Sequence, residues 1–162
     1  MYSYLLTFHS LFRWLVLISL LCSIGIGWTG LTARRHFSAI ANAFRHWTAT
    51  IAHIQLVLGM TLYFQSPIVR YPVPRDPDHI VDQQTFFRYI HSAAMFLAII
   101  VITIGSAKAK RMTTDGDKYR IMLGWFIAAL IIILCAIPWP FSPLVSRPYE
   151  RTFKTYNHES IV

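Results

Sequence analysis

The stretch Ile121–Ile137 reads IMLGWFIAALIIILCAI, with no charged side chain anywhere in it. A helix that is apolar on every side has no face to offer water, so it is buried or faces lipid. About 20 such residues cross a bilayer, and Pro138-Trp139-Pro140 ends the run. Working back from it, three more apolar runs appear. They span about Tyr4 to Trp28, Phe44 to Gln65 and Phe86 to Ala107, and the last span begins near Tyr119. In the first, Gly25, Gly27 and Gly30 are expected to loosen the helix end before Arg34, Arg35 and His36. Ser66-Pro67 stops the second run, and Lys108, Lys110 and Arg111 follow the third. Four runs of this kind in 162 residues leave too little polar surface for a soluble bundle.

The expected fold is therefore an all-α membrane protein, an up-down-up-down bundle of four transmembrane helices. Residues 1–146 form the bundle (spans about 4–28, 44–65, 86–107 and 119–137), and residues 147–162 form a polar tail. Composition agrees: the chain is 55% hydrophobic and only 14% charged, against roughly a quarter charged in soluble domains. The net charge of +8 does not mark a nucleic-acid binder. Its basic residues lie between apolar runs, where cytoplasmic loops carry them.

Orientation follows from the same residues. Eight Lys or Arg fall in the first and third loops (Arg34, Arg35, Arg45, Lys108, Lys110, Arg111, Lys118, Arg120). Six fall in the second loop and the tail (Arg70, Arg75, Arg88, Arg147, Arg151, Lys154). The larger group is cytoplasmic, which puts both termini and the second loop outside. Tyr71-Pro72-Val73-Pro74-Arg75-Asp76-Pro77 in that loop favours an extended, polyproline-like crossover. Cys22 and Cys135 lie in apolar runs in opposite leaflets. They read as small buried hydrophobes, not as a disulfide. The first run has no basic leader and no cleavage site, so it is expected to be retained.

Ionisable residues inside spans are costly and point to function. Here they are His9 and Arg13 in the first span, His53 in the second and His91 in the third. The first and third spans both enter from outside, and His9 and His91 each lie about five residues in. At 1.5 Å per residue both sit roughly 7 Å below the outer boundary. In an up-down-up-down bundle these two helices are diagonal. Two level histidines on diagonal helices suit the axial positions of a haem, since neutral imidazole is a good iron ligand.

Ala94, Ala98 and Gly59 would leave room for the ring, and Arg88 is placed to pair with a propionate. Arg13, a turn deeper than His9, suits a quinone carbonyl or a structural hydrogen bond. His53 lies about 10 Å deeper than the pair. It is a candidate for a proton path, a quinone site, a second metal centre or the alternate haem ligand. Gln55, Gly59 and Tyr63 form a stripe facing away from His53, either a packing seam or the polar wall of a quinone pocket. Each histidine also has a plain reading as an interhelical hydrogen-bonding residue.

His9-Ser10 with Arg13-Trp14, Ala52-His53-Ile54-Gln55-Leu56 with Gly59, and Leu62-Tyr63-Phe64-Gln65-Ser66-Pro67 carry a resemblance. So do Thr103-Ile104-Gly105 with Lys110-Arg111, and Ile137-Pro138-Trp139-Pro140-Phe141. Across all four spans, roughly Ser3 to Pro143, the chain resembles a family of small four-span proteins from Bacteroidota labelled "cytochrome B". The resemblance implies that the histidines matching His9, His53 and His91 recur together, which makes all three candidate metal ligands and leaves their pairing open. Ile90 departs from the family pattern, where an acidic residue is expected.

These readings converge on a haem b protein of the bacterial cytoplasmic (inner) membrane, carrying one haem. It would pass electrons between the quinone pool and a periplasmic or membrane redox partner. The preferred ligands are His9 and His91, with His53 as alternate, and Arg13, Gly59 and Arg88 about the cofactor. A quinone is a candidate second cofactor, the bilayer is an obligatory partner, and a homo-oligomer is a candidate assembly. A chain this short suits an electron-transfer protein or an oxidoreductase subunit better than a stand-alone enzyme. The alternative is a non-redox accessory or assembly subunit whose histidines are structural. A three-histidine hydroxylase-type site is disfavoured because no carboxylate lies in any span.

Overall fold

The computed structural model describes residues 2–71 and 80–145 of the chain. The proline-rich segment 72–79 and the tail 147–162 discussed above lie outside the described residues. Among those described, the regular structure is entirely helical. Four long helices dominate: α1 (Tyr2–Thr32), α2 (Ala39–Gln65), α3 (Gln83–Arg111) and α4 (Asp115–Ala136). A single turn, Pro67–Arg70, follows α2.

Each start has a local cause. Ser38 caps α2 by accepting from the Ala41 N–H at 3.2 Å. Asp82 caps α3 by accepting from Thr85 N–H at 2.8 Å. Thr114 caps α4 by accepting from Asp117 N–H at 3.2 Å, and Asp115 and Asp117 sit in that helix's first turn. The negative charges suit the positive end of the helix dipole, as Lys108, Lys110 and Arg111 suit the negative end of α3.

The helices form a closed cycle. α1 packs on α2 and α4, and α3 packs on α4 and α2. α1 and α3 are therefore diagonal, as the sequence suggests. Leu20, Ile102, Met122 and Phe126 fill the centre, fully buried. The outward face of α1 carries Phe8, Leu11, Leu15, Ile18 and Leu21, all exposed. An exposed stripe of large apolar side chains at helical spacing is stable against lipid and costly against water.

α1, α3 and α4 are each long and apolar enough to cross a membrane. α2 matches them in length but carries Asn42, Arg45, His46, His53 and Gln55, which lower its apolarity. The first three expected runs fall within these helices, and the fourth (119–137) overruns α4 by one residue, Ile137, which caps it. The glycines of α1 do not loosen it. Gly27 faces α4, where an added Cβ would meet Met122 Cε at 3.3 Å, and one on Gly30 would collide with the Tyr119 ring. They are contact points where helix backbones approach. Cys22 and Cys135 are free, but exposed on the outer faces of α1 and α4 instead of buried.

Polar side chains link the helices at the α1 C-terminal end. Ser23 and Thr48 share a hydroxyl bond at 2.8 Å. Arg45, almost fully buried, donates from one nitrogen to Ser106 O at 3.0 Å and Ser106 Oγ at 2.6 Å. Asn42 Oδ1 accepts from its other side at 2.9 Å.

Candidate functional site: a close histidine pair

α4 ends because Pro138 and Pro140 have no N–H to give. In a continuing helix they would bond Leu134 and Ala136 carbonyls. Those two acceptors are taken by side chains instead. Trp139 Nε1 donates to Leu134 O at 2.9 Å, and His91 Nδ1 lies 2.8 Å from Ala136 O. A carbonyl only accepts, so His91 carries its proton on Nδ1 and leaves Nε2 as a lone pair. This is the tautomer found in metal-ligating histidines whose other nitrogen is held by the backbone.

His91 closes a π-helical turn, Phe86–His91, that opens the long third helix. Such single turns recur at functional sites. The turn sets Phe86 and Phe87 around His91, with ring centres 6.0 and 5.8 Å away.

His9 comes from α1 at the same level. Gln55 on α2 donates to His9 O at 3.0 Å, and its Nε2 is 3.2 Å from His9 Nδ1. One turn along, Gly59 lets the ring lie against the helix; an added Cβ there would be 3.3 Å from His9 Cε1. Gln55 Oε1 is buried and has no hydrogen-bond partner among the described residues.

The two imidazoles approach edge to ring, with ring centres 6.5 Å apart and planes at 70°. The nitrogen-bearing edge of His9 lies toward α2, with Nδ1 and Nε2 3.2 and 3.4 Å from Gln55 Nε2. A cavity of about 180 Å³ opens beside the pair. Arg13, Gly59, Tyr63, Ala52, Ala98 and Ile133 help to line it, and Tyr2 and Ser66 contribute at its upper end, 3.3 Å apart through their hydroxyls. Met60 and Met95 also form wall; unbranched and flexible, they are the most adaptable apolar side chains of the lining.

Of the residues singled out from sequence, His9, His91, Arg13 and Gly59 meet at this cavity. His53 and Arg88 do not line it. His53 is exposed, with Nε2 3.0 Å from Thr103 Oγ1. Thr103 spends its own proton on Ile99 O at 2.7 Å, so His53 is the donor of that bond. Arg88 is also exposed, its guanidinium 5.4 Å from the Tyr89 ring centre. In the wider π turn, three residues no longer return a side chain to the same face, which takes Arg88 away from His91. For the same reason of azimuth the wall beyond His91 uses Met95 and Ala98, not Ala94. Gln55 and Tyr63, read as one stripe, both line the cavity. Among the described residues no three His, Cys, Asp or Glu side chains gather closely enough to hold a metal ion.

No family model, curated protein or solved structure matches the chain.

Proposed function

We propose that the protein is a haem b electron carrier of the bacterial cytoplasmic membrane, a four-span bundle with both termini outside, in which His9 and His91 would hold one haem. The observation that supports this reading is the close pair of histidines: ring centres 6.5 Å apart, with His91 Nδ1 committed to Ala136 O at 2.8 Å. The haem would supply one-electron redox chemistry. The chain's own residues bind and orient. The Ala136 carbonyl fixes the tautomer and rotation of His91. Gln55 and Gly59 hold the His9 ring against α2. Ile133, Ile99 and Val16 line the cavity and exclude water from it.

Quinone is the proposed electron source or sink. Gln55 Oε1, a buried acceptor with no partner among the described residues, would be satisfied by a quinol hydroxyl. Arg13 supplies a cation on the same wall. α2 is proposed to cross the membrane with the others, because its polar residues Arg45 and Gln55 are engaged with neighbouring helices.

The test is a visible difference spectrum, reduced minus oxidised, of the purified chain from a haem-sufficient host, with a pyridine haemochrome assay. A sharp α-band at near-stoichiometric haem is expected. A colourless protein that also refuses added haemin would remove the reading. It would favour the accessory-subunit alternative, in which the His91–Ala136 and Gln55–His9 bonds serve only to join helices.

A further inference from the structure

The opposite end of the bundle holds a second concave feature, between the end of α1 and the start of α4. It is a cleft of about 540 Å³ lined in part by Arg34, Arg35, His36, Asp115 and Arg120. α1 finishes with Arg35 N–H bonded to Gly30 O at 2.9 Å, and Arg34 sits at φ 48°. This is the left-handed residue of a Schellman ending, a place where glycine is usual because a Cβ is strained there. Among the described residues no other non-glycine position has positive φ. An arginine is therefore held where glycine would be more stable.

The acids near the cleft are already engaged. Asp115 is bonded to His36 Nδ1 at 2.6 Å and lies 3.6 Å from Lys118 Nζ. Asp117 pairs with Arg120 at 2.9 Å. Arg34 and Arg35 have no carboxylate partner among the described residues. The cleft thus presents two uncommitted guanidiniums, groups whose planar fork matches phosphate oxygens. On α1, Trp28 is 61% exposed and lies less than two turns before Arg34 and Arg35. An exposed tryptophan suits a membrane–water interface, and basic pockets between helices near such an interface suit anionic headgroups.

We propose that this cleft binds the phosphate of an anionic phospholipid, with Arg34 and Arg35 gripping the headgroup and the acyl chains lying along the exposed face beside Trp28. The site is independent of the histidine pair and of its cofactor.

The experiment is thermal unfolding of the full chain in a neutral detergent, titrated separately with phosphatidylglycerol, phosphatidylcholine and inorganic phosphate. Phosphatidylglycerol is expected to raise the unfolding temperature, and the other two are not. Arg34→Gln with Arg35→Gln should weaken the phosphatidylglycerol response about 25-fold, at about fivefold per arginine. Arg34→Gly separates binding from folding. It should unfold at a higher temperature than the parent without lipid, yet respond to phosphatidylglycerol about fivefold more weakly. Equal stabilisation by phosphatidylcholine, or an undiminished response in the double variant, overturns the proposal. Equal stabilisation by inorganic phosphate overturns the lipid assignment and leaves a free-phosphate site.

Discussion

His91 Nδ1 sits 2.8 Å from Ala136 O, in the place of the N–H that Pro140 lacks. One side chain thus completes the end of α4 and fixes its own ring, so the structural role and the proposed ligand role of His91 are physically coupled. They can still be separated. His91→Ala leaves a buried carbonyl unpaired and should lower stability by about 1–3 kcal/mol, with loss of the α-band that the proposed haem would give. His91→Gln keeps a donor and should recover part of that stability with no band. Thermal unfolding and difference spectra on the same samples read both effects. His53→Ala should leave the band unchanged, because His53 lies outside the cavity, bonded to Thr103.

At Gly59 the added Cβ of alanine would be 3.3 Å from His9 Cε1, so the ring must move by a few tenths of an ångström. On the proposed haem reading, Gly59→Ala is expected to retain the haem with a shifted midpoint potential. Gly59→Val should lose most of it. Redox titration of the two variants checks the order.

Two glycines of α1 make a matched pair. Gly25 has open space where a Cβ would go, while Gly30 lies against the Tyr119 ring. Gly25→Ala should stabilise by about 0.5–1 kcal/mol through backbone entropy. Gly30→Ala should destabilise by about 1–3 kcal/mol through overpacking. Denaturation in the same detergent would show opposite signs.

Asp82 caps the helix that carries His91. Its carboxyl is held below its ordinary value of 3.8, first by the backbone N–H of Thr85. A carboxyl lowered in the folded state stabilises above its unfolded value, and that stabilisation disappears as pH falls through the lower folded value. Asp82→Asn should therefore be less stable than the parent at neutral pH. The difference should shrink as pH drops through and below 3.8, measured as unfolding temperature against pH.

Level along the bundle is a one-dimensional count, and His9 and His91, each about five residues into their apolar runs, lie beside each other. The first three apolar runs fall within long helices, and the fourth overruns α4 by Ile137 alone. Azimuth is harder, since it needs helical register. No composition signal announces the π turn at Phe86–His91, and that turn decides which way Arg88 points. His53 is unusual by depth alone, yet it faces outward to Thr103. Glycine is ambiguous in the same way. Gly25 and Gly30 look alike in sequence, and only the neighbour, open space or Tyr119, tells them apart.

The uneven apolarity of the helices bears on biogenesis. α1, α3 and α4 are long and apolar enough to cross a membrane, whereas α2 brings Arg45 and two histidines. A segment of that kind leaves the translocon poorly by itself. Its Thr48 is bonded to Ser23 of α1 at 2.8 Å, and its Arg45 to Ser106 of α3 at 2.6 Å. Within α2 alone Arg45 has only Asn42 to bond; its Nη1 donors are met by Ser106, so the burial of that arginine is a property of the α2–α3 pair and not of either helix.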